Sequence, residues 1–94
     1  MEQETFYMSV DFIKQAVALA SEHRKQLRIG YIDKKGNVET RFVEPYPVEN
    51  PNDKNFSAYC NLRKDFRHFT YDRVVRIVVT DFDQKHERKE AAAL

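Results

Sequence analysis

A mainly β fold, a small five-stranded β-barrel carrying an N-terminal α-helix, is what this 94-residue sequence predicts. Three observations lead there. A single stretch near the N-terminus has apolar residues at helical spacing. From residue 27 to residue 80 the apolar period is two, interrupted by turn-forming residues. Five short strands are too few for an ordinary two-layer sandwich, whereas curling into a small barrel removes exposed strand edges.

The helix is expected over residues 9–25. Ser9 suits the N-cap and Asp11 the first turn, where a negative charge complements the helix dipole. Val10, Ile13, Val17 and Ala20 form one apolar stripe, widened by Phe12, Ala16 and Leu19. A hairpin follows: Leu27, Ile29 and Tyr31 alternate with Arg28, Gly30 and Ile32, Asp33 to Asn37 supplies the turn, and Val38 to Val43 resumes the alternation. Residues 44–54 hold all three prolines and read as a loop. Three further strands are expected at Phe56–Cys60, Arg67–Tyr71 and Val74–Thr80, the last central because Val74 and Val78 make both its faces apolar. Leu27, Ile29, Tyr31, Phe42, Phe56, Ala58, Phe69, Val75, Ile77 and Val79 are the expected core.

The organisation is an N-terminal segment (1–8), a barrel domain (9–82), a polar tail (83–90) that either frays or forms a short helix, and Ala91-Ala92-Ala93-Leu94, which has the look of a cloning scar. On this reading the chain is an excised domain of a longer protein. A chain of this size buries roughly 60–65% of its unfolded surface, enough for one thin core. Sixteen Lys and Arg against fifteen Asp and Glu give +1, so global charge names no partner. No apolar run is long enough to span a bilayer, and a cytoplasmic domain with no membrane association is expected.

One cysteine excludes an internal disulfide, and Cys60 alternates with Phe56 and Ala58 as a buried small hydrophobe. His23, His68 and His86 are too scattered to suggest a metal site. No nucleophile–base pair, phosphate loop or glycine-rich fingerprint is present, so neither an enzyme nor a cofactor is expected. Charge is uneven in one place. Between Tyr59 and Arg76, five cations (Arg63, Lys64, Arg67, Arg73 and Arg76) stand against Asp65 and Asp72, a net +3, interleaved with Tyr59, Phe66, His68, Phe69 and Tyr71. Arginine forks onto phosphates and stacks on bases, and aromatics beside it suit single-stranded nucleic acid. The same segment also reads as a solvated charged loop with Phe66 and Phe69 in the core.

Three stretches resemble the WYL domain family of bacterial regulators. Leu27-Arg28-Ile29-Gly30-Tyr31, Lys35-Gly36-Asn37 and Thr40-Arg41-Phe42-Val43-Glu44-Pro45-Tyr46 are similar to the family's I-x-Y…G…R-x-V-x-P opening. Ala58-Tyr59-Cys60-Asn61-Leu62-Arg63-Lys64-Asp65-Phe66-Arg67-His68-Phe69 is similar to its A-Y-C-x-L-R…R-x-F core, and Tyr71-Asp72-Arg73-Val74 to its D-R-I. The name-giving Trp-Tyr-Leu is degenerate: Lys54-Asn55-Phe56 occupies its place and the chain has no Trp. The resemblance implies an Sm-like barrel and a non-enzymatic sensor of a nucleotide or single-stranded DNA or RNA, within a transcription regulator or defence-associated protein. Its implied ligand contacts are Tyr59, Asn61, Arg63, Arg67 and Arg73, with Arg73 equally able to brace the strand entry it precedes. The competing expectation is a degenerate barrel used as an interaction module, for instance as a homodimer.

Overall fold

The computed structural model describes residues 9–86. The expected segment 1–8, the rest of the tail and the scar at 91–94 lie outside the described residues. In order come α1 (Val10–Glu22), β1 (Lys25–Ile32), β2 (Val38–Pro45), β3 (Asn55–Cys60), β4 (Asp65–Thr70), a 3-10 turn (Tyr71–Arg73) and β5 (Val74–Asp83).

Ser9 caps α1, its Oγ accepting the Phe12 N–H at 3.1 Å. The helix stops three residues before the expected Lys25 because Arg24 takes a left-handed φ of 55° and sends the chain back beneath the helix as β1. The buried face is narrower than the sequence stripe: Ile13, Val17, Ala20 and Ser21 are covered, while Phe12 and Leu19 stay about half exposed.

β1 and β2 form the expected hairpin, from Ile32 opposite Val38 to Leu27 opposite Val43. In its turn Asp33 Oδ1 accepts the N–H groups of Lys35 and Asn37 at 2.8 and 2.9 Å, and Gly36 takes a φ of 90°. The Asn37 and Lys35 N–H groups hold the Asp33 carboxyl below its ordinary range. Strand β2 continues through Glu44 and Pro45, residues expected in a loop, and there pairs with β3. Proline is tolerated because the Tyr46 N–H donates to Ser57 O, which leaves Pro45 at a non-bonded position of that ladder, past the end of the β1 pairing.

β4 starts two residues earlier than expected and ends at Thr70, with Tyr71 in the 3-10 turn. The sheet order is β4-β3-β2-β1-β5, all antiparallel. The closed barrel expected from sequence is therefore corrected to an open, curled sheet whose edges are β4 and β5. The seam is bridged by side chains instead of a ladder. Tyr31 on β1 accepts the Thr70 N–H of β4 at 2.9 Å and sets its ring edge-on to Phe69 at 5.2 Å. Arg73 donates from Nη1 to Ile32 O at 2.9 Å.

Six of the ten expected core residues are buried (Leu27, Ile29, Phe56, Ala58, Phe69 and Ile77), and Tyr31 and Val79 pack against them partly covered. Val75 is 40% exposed because it is the extra residue of a bulge: Arg76 faces Gly30 and Val74 faces Tyr31. Phe42 lies on the outer face against Phe82. Nor is β5 central: it is an edge, and Val78 is 44% exposed. Tyr71, unassigned to the core by sequence, is 1% exposed between Phe56 and the Lys14 ammonium, and burial, then Asp53, pushes its phenol pKa up.

Two measurements check this packing. Cys60 is fully buried, so a thiol-reactive dye should label it slowly in the native protein and rapidly in denaturant; fast native labelling contradicts its placement. Tyr31→Phe leaves the Thr70 N–H without its acceptor, so urea unfolding should show a loss of about 1 kcal/mol and amide exchange at Thr70 should accelerate.

Candidate nucleic-acid interface

Strand register decides which side chains share a face, because residues directly opposite in an antiparallel pair point the same way. Glu44, Tyr59 and Phe66 form one row across β2, β3 and β4, on the outer face. Pro45, Ala58 and Arg67 form the adjacent row, on the face that carries the core. Tyr59 and Arg67, expected on one binding surface, therefore stand on opposite faces of the sheet. Arg67 stays exposed because β4 is an edge.

Arg63 lies at the exposed tip of the β3–β4 hairpin, in a turn closed by Lys64 N–H to Cys60 O at 2.7 Å with Lys64 at a φ of 56°. The guanidinium groups of Arg63 and Arg67 form no ion pair or hydrogen bond among the described residues. Asn61 is differently employed. Its N–H donates to Phe42 O at 3.0 Å and its amide to Gln26 Oε1 at 3.2 Å, fixing the hairpin tip against β2 and β1. Arg73 is half-buried and bonded to Ile32 O, which favours the bracing role over ligand contact.

Tyr59 is an aromatic platform whose upper face is occupied. The His86 imidazole stacks on it with ring centroids 3.7 Å apart and planes 20° apart, and Phe66 meets it edge-on at 5.1 Å. Phe66 in turn touches Tyr46 at 5.5 Å, so the aromatic row continues along the outer face. His86 is held by Glu44, which is 2% exposed on this outer face. Glu44 Oε1 accepts the N–H groups of Lys85 and His86, both at 2.9 Å, and Oε2 lies 2.9 Å from His86 Nδ1.

The tail residues next to His86 are equally tied down. Gln84 donates to Lys25 O and Pro45 O, and Lys25 bonds Asp83 at 2.6 Å, raising the lysine pKa and lowering that of the carboxyl. Residues 83–86 thus strap the outer face, where sequence predicted a frayed or helical tail. His86 and Glu44 are the site residues that sequence missed. No local signal joins positions 42 apart, although a Glu before Pro45 on an alternating segment could have been read as facing away from Val43.

Arg41 is a half-buried charge on the core-side face. Burial lowers its pKa, but hydrogen bonding to Glu39 at 2.7 Å and the nearby Cys60 sulfur more than offset that, and the net direction is up. Among the described residues no group of three His, Cys, Asp or Glu side chains gathers to hold a metal ion, and no helix is long and apolar enough to cross a membrane.

The Glu44 arrangement has a measurable consequence. Glu44→Ala leaves three donors without their acceptor and should cost about 1–3 kcal/mol in urea unfolding. The Tyr59 ring resonances should shift as His86 leaves the stack, whereas unchanged Tyr59 signals would contradict the latch.

Comparison with known proteins places this geometry. The family model described as the WYL domain matches residues 13–79. No curated protein matches. Among solved structures, proteasome accessory factor B/C (PafBC) of Arthrobacter aurescens is similar with a TM-score of 0.72 at 22% identity, over 88% of this chain and 13% of that one. At that identity the likeness is one of fold, and this chain spans a small part of the longer protein.

Proposed function

The chain belongs to the WYL domain family, and from that premise we propose that it is a regulatory, non-enzymatic sensor domain that binds the phosphates of a nucleotide or of single-stranded DNA or RNA. The observation that carries the reading is the β3–β4 hairpin, which presents Arg63 at its exposed tip and Arg67 on its edge strand, neither guanidinium paired among the described residues, with the Tyr59–Phe66–Tyr46 aromatic row on the face opposite Arg67. Free guanidinium forks neutralise phosphates, and a base stacks on an aromatic face with little sequence preference. In this reading a base displaces His86 from Tyr59, since the imidazole already occupies the stacking geometry a base would take. Asn61 and Arg73 contribute by position, holding the hairpin tip and the entry to β5. The setting is a cytoplasmic bacterial regulator of transcription or defence, of which this chain is the sensing part.

A second reading, a homodimerisation module, is favoured by the free edge of β5, a ten-residue strand without proline that exposes Val75, Val78 and Phe82.

Fluorescence anisotropy of labelled single-stranded DNA and RNA across a salt series tests the first reading. Two or three phosphate contacts at the hairpin should contribute about −1.4 to −2.1 to the log–log slope. Arg63→Ala and Arg67→Ala should each weaken binding while leaving unfolding nearly unchanged, because exposed arginines add little stability. Tyr59→Ala should cost about 1–3 kcal/mol of binding. Absence of salt-dependent binding, together with a concentration-dependent dimer in sedimentation, would select the interaction module.

A further inference from the structure

On the outer face of β5, β1 and β2, away from the β3–β4 hairpin, lies a second group of cations. Arg28 of β1 stands opposite Val78 of β5, and two residues on, Gly30 stands opposite Arg76. Arg28 and Arg76 are therefore diagonal neighbours on one face, about 7–8 Å apart at the backbone in such a ladder. Both are exposed, and neither forms an ion pair or hydrogen bond among the described residues. Adjacent like charges on a sheet destabilise it. Among the described residues no carboxylate pairs with either arginine.

Gly30 shapes the space between them. It is a strand-interior glycine, which weakens a strand and commonly marks a close approach. The Arg76 head lies across it: a Cβ there would sit 3.2 Å from Nε and Nη2 and 3.3 Å from Cζ. The missing side chain lets that head lie down on the strand, and beside it is a notch of about 190 Å³ lined by Gly30, Arg28, Arg76, Thr40 and Val78. Two arginines and a threonine line a space of that size, and these are the donor types that take a tetrahedral oxyanion.

We propose that this notch is a phosphate-binding subsite, taking the phosphate of a nucleotide or of a single strand in the fork of Arg28 and Arg76 with the Thr40 hydroxyl as a third donor. The assignment rests on the reading above for the class of ligand, but it shares no residue with the hairpin. Beside the notch, Phe42 stands opposite Arg28 and touches Phe82, which supplies an aromatic neighbour to the bound phosphate.

The test uses the whole chain, with sodium pyrophosphate, ATP and a labelled twelve-residue oligothymidylate as probes. Pyrophosphate should shift the amide resonances of Gly30 and Thr40. The Arg28→Gln/Arg76→Gln double variant should lose that response and reduce the steepness of the oligonucleotide salt slope by about 1.4, the equivalent of two contacts. Gly30→Val keeps every charge but fills the notch, and it should lose the response too, with Gly30→Ala giving a partial loss; circular dichroism reports whether each variant folds. Binding of ATP and pyrophosphate without the oligonucleotide identifies a free nucleotide as the source of the phosphate, and the slope change identifies a strand. If these variants respond like the parent to all three probes, the notch is not a subsite. If they do so while Arg63→Ala and Arg67→Ala abolish oligonucleotide binding, the notch fails and the hairpin reading stands. Loss in the notch variants alone overturns the hairpin and keeps the notch.

Discussion

Val43 belongs to two ladders at once. It pairs with Leu27 of β1 on one side and Cys60 of β3 on the other, and all three are fully buried. Before it, β2 has a partner only in β1; after it, only in β3. A strand that changes partners midway forces its two neighbours to diverge, so the sheet curls around the α1 face formed by Ile13, Val17 and Ala20. The curl brings β4 back toward β1, close enough for Tyr31 to reach Thr70 and Phe69. Aromatic stacking of Phe56 on Phe69, and of Tyr71 on Phe56, then fills the space that backbone pairing does not close.

The curl does not become closure: the chain passes from β4 to β5 through a three-residue 3-10 turn, and β4 pairs with β3 while β5 pairs with β1. Two side chains, Tyr31 and Arg73, satisfy the backbone groups at the seam. The remaining edges of β4 and β5 stay open, which is what leaves Arg67 and the apolar residues of β5 in reach of a partner.

The outer surface divides at the same hinge. Past Val43 the row Glu44, Tyr59 and Phe66 is covered by residues 84–86, with a buried carboxylate gripping the strap. Before Val43 the face is open and carries Arg28, Phe42 and Arg76. The outer face thus carries one aromatic platform covered by His86 and one basic surface that no other described residue covers, joined by the hairpin tip that Asn61 anchors to Phe42.

Legible in the sequence are the helix with its Ser9 cap, the β1–β2 hairpin with its Asp33–Asn37 turn, the strand at residues 56–60 and the identity of Cys60 as core, because each rests on contacts between near neighbours or on a two-residue alternation. The family resemblance was legible for the same reason, through motifs confined to single hairpins. Alternation tells that Tyr59 and Arg67 lie on strands, but the turn length that sets their register put them on opposite faces. That the sheet stays open is a matter of tertiary pairing, since β4 takes β3 and β5 takes β1 as partner, and no period in the chain encodes that choice. Only the tertiary structure revealed the Val75 bulge that brings Arg76 over Gly30. Glu44 and His86 meet across 42 residues, and a pairing made by folding one segment over another leaves no period in the chain from which to read it.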